Sequence, residues 1–539
     1  MKKFISIISV FFLFSGFAFS QSVQDGIKAM DNENYATAKK IFLAVTSQKP
    51  NDAEALYYAG KTCYILQQKD SAKIFFDKGI AANAKFASNY VGLGRFYLDQ
   101  ANAVDAKTNF DKATSLNAKD VKTLQLIGEA YANVPTKSNT DNKSAQDGIT
   151  ILEKALTFDK KNPTTYLILG DAYMSKWDGA GQAVTNYEYA AQYAQSTIAA
   201  QAYCRIGVLY AKAKNYNEAL SGFQKSLAAD SLYAPAHREL GELYYQSKQY
   251  TKARDSYKKY MSLADATIEN QSRYASFLFL AKDYEATITM INNVIEKNPS
   301  NFILSRLIAY SYYEEGKYKD GLDYIEKFFK QVDSKKILAS DYEYYGKLLT
   351  KNGNDSLAII NLNLCMSMDT SKAELHGDLA QIFYKKKKYA DAAHEFELKM
   401  AKIKPNVQDY FQVGKCYYYA EQYTKSDSAF VKVTELSPNS QVGFLWRGRC
   451  NSNIDSTGAQ QLAKPYYEKC IELASVDVTK NKKDIIESYK YLGWLSIQNN
   501  KDAEGIDYYK KVLELDPADE QAKSVVNDAK KINSSKSKS

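Results

Sequence analysis

A small residue returns along this chain at one spacing: Gly26, Gly60, Gly94, Gly128, Gly170, Gly207, Gly241, Ala275, Ala309, Gly346, Ala380, Gly414, Gly448 and Gly493. Nine of the thirteen steps are 34 residues, and the others are 42, 37, 37 and 45. A period of this size marks a stacked array, because one such unit is too small to bury its own apolar faces. Twelve residues beyond the small position a second one usually stands, as at Ala38, Ala72, Ala106, Ala219, Ala253, Ala358 and Ala392. Four further on comes a large apolar residue: Phe42, Phe76, Phe110, Phe223, Tyr257, Leu362, Phe396 or Phe430. Length alone, at 539 residues, suggests three or four globular domains. The unbroken period argues for one repetitive array instead.

In the block from Ala87 to Asp120, Tyr90, Leu93, Gly94 and Tyr97 follow the spacing of a single helical face. After a polar break near residues 100–103, Ala106, Phe110 and Ala113 mark the same face on a second helix. Each unit therefore reads as a hairpin of two short helices. The small residue lets the two backbones approach, and the large one fills the space beside them. Thr287 and Ser426 replace the usual alanine, which predicts slightly looser hairpins there.

These spacings resemble the tetratricopeptide repeat. In residues 407–440 the family positions match Tyr410, Val413, Gly414, Tyr417, Phe430, Val433 and Pro438; in 486–519 they match Tyr489, Leu492, Gly493, Tyr509, Val512 and Pro517. The resemblance covers about residues 22–519. It implies an all-α fold: a right-handed superhelical solenoid of about fourteen helix-turn-helix tetratricopeptide repeats. It also implies that function lies in binding a partner.

Residues 1–20 read as a secretory signal peptide. Lys2 and Lys3 precede an apolar run from Phe4 to Phe19, and Ala18 and Ser20 are small residues at the cleavage subsites. The expectation is an exported, periplasmic protein, with peripheral placement at the outer membrane as a variant. No later segment is apolar enough to span a bilayer. The array then runs over 21–519, with polar insertions near 133–144, 331–336, 453–461 and 476–483 expected as surface loops. Residues 520–539 suit a solvating capping helix and a basic tail, disordered from Asn533.

Lysine and arginine total 71 against 62 acids, a net +9, or +7 once Lys2 and Lys3 are removed. That diffuse excess is too weak for the dense basic stripe of a nucleic-acid binder. Six cysteines are spread over the array. Cys450 and Cys470 are the close pair, open to either a disulfide or two buried thiols in an oxidising compartment. The three histidines, His237, His376 and His394, have no zinc-site spacing. No phosphate loop or nucleophile elbow occurs. The chain is expected to be non-enzymatic and to need no cofactor or metal.

In the family that the repeats resemble, the first helix of each unit lines an inner groove, mainly through residues one, four and five after the small position. Carried over, these are Lys61, Tyr64, Arg95, Tyr245, Tyr310, Tyr313, Lys347, Lys351, Tyr384, Lys415, Tyr418, Tyr419, Arg449 and Trp494, with acids such as Glu242 and Glu314 in the minority. Tyrosine and arginine are frequent interface anchors. The expected partner is a segment of a cell-envelope protein, in an assembly, secretion or outer-membrane transport machine. The alternative is an anionic polysaccharide in glycan export or uptake.

Overall fold

The computed structural model describes residues 22–134 and 143–536, with side chains as far as Asp528. The expected signal peptide, most of the insertion near 133–144 and the last three residues of the expected tail lie outside the described residues. Among the described residues the chain runs helix after helix, from Val23–Asp31 to Glu520–Lys536, without a strand. It divides into two compact units, one up to Ser311 and one from Tyr312 onward.

Each unit is built from consecutive antiparallel hairpins. Helix Ala53–Ile65 pairs with Lys69–Ala82 and Ala87–Asp99 with Ala103–Leu116 in the first unit; Val407–Tyr419 pairs with Tyr423–Leu436 in the second. The 34-residue period has a direct steric cause. A Cβ on Gly60 would stand 2.5 Å from the Phe76 ring, and one on Gly94 would stand 2.3 Å from the Phe110 ring. In the second unit Leu362 lies 2.7 Å from the corresponding point on Gly346. The large residue of the second helix thus lies on bare backbone of the first. Phe42, Phe223 and Phe430 are completely buried in this way. Each such ring contributes about 2–3 kcal/mol of transfer free energy.

The turns are equally regular. Seven residues after the small position the backbone is left-handed, with φ 59° at Gln67, 58° at Lys248, 60° at Glu421 and 76° at Gly316. The next amide then reaches back to close the first helix, as from Gln68 to the Cys63 carbonyl (2.9 Å) and from Lys388 to the Phe383 carbonyl (2.9 Å). This closure satisfies carbonyls that a helix end would otherwise leave bare.

Several expectations change. Thr287 and Ser426, expected to loosen their hairpins, are both fully buried. The Thr287 hydroxyl donates to the Asp283 carbonyl one turn earlier (2.7 Å), whereas the Ser426 hydroxyl donates across its hairpin to the Gly414 carbonyl (2.8 Å) and ties the two helices together. Residues 478–483 are not a loop but the opening turns of the long helix Val478–Gln498, capped by Asp477, whose carboxylate accepts from the Lys480 amide. Ser334–Lys336 form a short 3-10 turn. The last helix continues past Asn533 to Lys536, with no glycine or proline to stop it. Cys450 and Cys470 are free, buried thiols. The Cys450 thiol donates to the Ser426 hydroxyl at 3.1 Å instead of bonding to its neighbour.

Candidate functional site

In the unit up to Ser311, cations expected to face a partner are largely consumed internally. Lys61 and Arg95 both converge on Glu129, at 3.3 and 3.8 Å. The Lys61 pair links hairpins two repeats apart. Burial is the largest influence and works against charging Glu129, yet Lys61 and Arg95 together, with Arg205, outweigh it and hold the carboxyl below its usual range. The Arg95 guanidinium also stacks 4.6 Å from the centre of the Tyr64 ring, whose hydroxyl donates to Asp99. Further along, Arg205 is gripped by Asp171 through Nε at 2.6 Å and Nη2 at 3.0 Å. Arg273 pairs with Glu242 (Nε–Oε1 2.8 Å) and lies 4.5 Å from the Tyr245 ring. Tyr64 and Tyr310 are buried, at 8% and 4% exposure. Lys61, Arg95, Tyr64 and Tyr310 thus all make internal contacts, with Lys61 and Arg95 still partly exposed. The signal that identifies the balancing acids was present in the sequence: Glu129 and Asp171 stand one residue after Gly128 and Gly170, the same register as Lys61 and Arg95.

The unit from Tyr312 onward is arranged differently. Lys347 is neutralised by Glu343 (2.6 Å), which Lys372 also reaches at 2.8 Å. Arg449 is paired with Glu487 at 2.6 Å. These two cations are likewise paired internally. Lys351 and Lys415 instead rest on aromatic faces, Lys351 5.5 Å from the Tyr318 ring and Lys415 5.3 Å from the Tyr384 ring. Among the described residues neither lysine makes an ion pair.

Around Lys415 the tyrosines form one continuous cluster. Tyr384 contacts Tyr389 and Tyr419, with ring centres 5.3 and 6.0 Å apart, and Tyr389 meets Tyr419 at 5.2 Å. Tyr418 then joins Tyr419 (5.6 Å), Tyr423 (5.5 Å) and Trp446 (5.2 Å). Burial, with Tyr419 beside it, pushes the Tyr384 hydroxyl up to about 12, so it is a neutral donor and acceptor. Tyr419 remains 43% exposed. A smaller cluster places Tyr313 against Tyr318 and Tyr344, at 5.6 and 5.5 Å. Trp494 sits apart, 5.5 Å from Tyr491. The groove positions alone miss Tyr318, Tyr389 and Tyr423, which start the second helices nine residues after the small position, and Trp446, two residues before one.

Two family models for tetratricopeptide repeats match the sequence, over residues 204–266 and 487–519. The first spans the Gly207 and Gly241 hairpins, and the second falls on the block that carries Gly493, Tyr509 and Pro517. Both are in phase with the period and with the glycine–aromatic contacts. The chain is a tetratricopeptide-repeat protein. Among solved structures, the C-terminal part of a tetratricopeptide-repeat-containing protein from Cytophaga hutchinsonii is similar at 35% identity. That likeness covers 47% of this chain and 99% of that one, with a TM-score of 0.42. Yeast Tom70 is similar at 12% identity over 74% of this chain and 95% of its own, with a TM-score of 0.29. No curated protein matches. The repeats make this protein an interaction scaffold, and no helix among the described residues is long and apolar enough to cross a membrane.

Proposed function

We propose that this repeat protein is a non-enzymatic adaptor of the bacterial cell envelope, exported to the periplasm. In this reading it holds a segment of a partner protein against the first helices of the unit from Tyr312 onward. The partner belongs to an assembly, secretion or outer-membrane transport machine. One observation carries the choice of face: Lys415 has no acid partner among the described residues and lies on a tyrosine cluster that leaves Tyr419 exposed. A cation over aromatic faces, desolvated by a bound segment, gains in strength over its exposed state. Rings held by their neighbours give up little rotamer freedom on binding.

The test is a crosslinked pull-down from native envelopes with the full chain and with Lys415→Glu and Tyr419→Ala variants. One or two envelope proteins recovered by the native chain and lost with both variants support the reading. Equal recovery by all baits contradicts it. Elution of the bound material by acidic oligosaccharides would instead favour an anionic polysaccharide as the occupant.

A further inference from the structure

Within the unit up to Ser311, the turn between the first two helices is bonded to residues roughly two hundred positions away. Helix Ala234–Gln246 begins after Tyr233, which offers its first-turn amides no side-chain cap. Asn32 Oδ1 supplies one, accepting from the Ala234 amide at 2.8 Å. Helix Tyr35–Gln48 begins after Asn34, whose side chain makes no cap bond either. Its cap comes from Asp265, which accepts from the Ala36 amide at 2.8 Å. Asn34 Nδ2 in turn donates to the Leu263 carbonyl at 3.3 Å. The two segments exchange helix caps.

Between the caps sits Glu33. Its carboxylate accepts from the Tyr260 hydroxyl at 2.9 Å and from the Arg238 guanidinium, and its carbonyl accepts from the Asp265 amide at 3.3 Å. Asp31 accepts from Gln201 at 3.1 Å. The apolar packing of the first hairpin, by contrast, stays with its sequence neighbours. Ala38 and Phe42 cluster with Val23, Ile27, Ala29, Met30, Tyr58, Ala59 and Phe75. The described clusters that hold the first hairpin include no residue from 197–267. The junction is thus polar and partly ionic, laid over a hairpin already packed elsewhere. Such bonds exchange with water at small net cost and weaken with salt.

We infer that the Asp31–Asn34 turn is a releasable clasp, seated in a recognition site for an acidic peptide turn built from Gln201, Arg238, Tyr260 and the amide of Ala234. Closed, the clasp keeps this unit wound on itself and the site filled. Released, the site accepts an acidic turn from another protein. This concerns a different unit from the Lys415 face and does not depend on that reading.

The experiment is hydrogen exchange by mass spectrometry on the full chain at low salt, for wild type, Glu33→Arg, and Glu33→Arg with Arg238→Glu. The amides of Ala36 and Ala234 report directly, because their acceptors among the described residues lie across the junction. Glu33→Arg is expected to raise exchange at both by roughly tenfold or more, with helix Asp502–Leu515 unchanged as a folding control. The charge-swapped double variant restores protection. A synthetic peptide AMDNENYA, the sequence of residues 29–36, then slows exchange at Ala234 in the single variant. The same peptide with its acids replaced by amides does not. Unchanged exchange at Ala234, failure of the swap to restore it, or equal protection by both peptides overturns the inference.

Discussion

Arg449 is held by both carboxylate oxygens of Glu487, with Nε–Oε1 and Nη2–Oε2 each at 2.6 Å, while its guanidinium lies 4.5 Å from the Trp446 ring. The pair fixes a planar cation on the ring that closes one end of the Tyr418–Tyr419 cluster. Its charge is satisfied at home, so Arg449 supports the aromatic surface more than it advertises a positive one. The pair is partly exposed, which limits its strength. Glu487→Gln is expected to lower stability by about 0.5 kcal/mol. Arg449→Ala, which also removes the stacking, is expected to cost about 1–1.5 kcal/mol. Urea unfolding of the two single variants and the double variant measures the coupling.

The glycine–aromatic contact predicts a sharp contrast between two similar substitutions. Gly94→Ala drives a methyl to 2.3 Å from the Phe110 ring, so that ring or the hairpin must shift. The expected loss is about 1–3 kcal/mol. Gly181→Ala, in helix Ala180–Tyr193, meets nothing within 4 Å and should be neutral or stabilising by up to about 1 kcal/mol. Thermal unfolding of both variants decides the matter.

Glu343 predicts part of the acid sensitivity. Burial raises its carboxyl, but the bonds from Lys347 and Lys372 outweigh that and hold it below the ordinary value of 4.5. A depressed folded value means stability that is present above 4.5 and lost as pH falls through the lowered one. Glu343→Gln should therefore be less stable than wild type at neutral pH, and the gap should close on acidification below that point. Denaturant midpoints measured from pH 7 downward check this.

All six cysteines are buried and free. Burial pushes the thiols of Cys416 and Cys450 up to about 12 and that of Cys470 up to about 11, so none is a ready thiolate. A thiol-reactive chromophore should label the native chain slowly and label six thiols at once in denaturant. Four thiols in denaturant without reductant, with a Cys450→Ser variant giving five because its partner is released, would show that Cys450 is in a disulfide after all.

The hairpins were legible in the sequence because their cause is local and periodic. Gly60 and Phe76 stand sixteen residues apart and meet in the structure. The surface was less legible, because a residue's register gives its direction but not its partner. Lys347 and Lys415 occupy the same position after Gly346 and Gly414, yet Glu343 one turn earlier neutralises the first while an aromatic face receives the second. Least legible of all was the exchange of caps between Asn32 and Ala234, which depends on how seven hairpins accumulate their rotation. No window of sequence contains that sum.

The most direct test of the central claim is site-specific photo-crosslinking in native envelopes from two positions of the full chain. One is Tyr419, beside Lys415; the other is Ile360, 56% exposed on the second helix of another hairpin in the same unit. The account predicts a discrete crosslinked protein partner from position 419, abolished by Lys415→Glu, and none from position 360. The same crosslinks from both positions, or a partner captured only through 360, would contradict it.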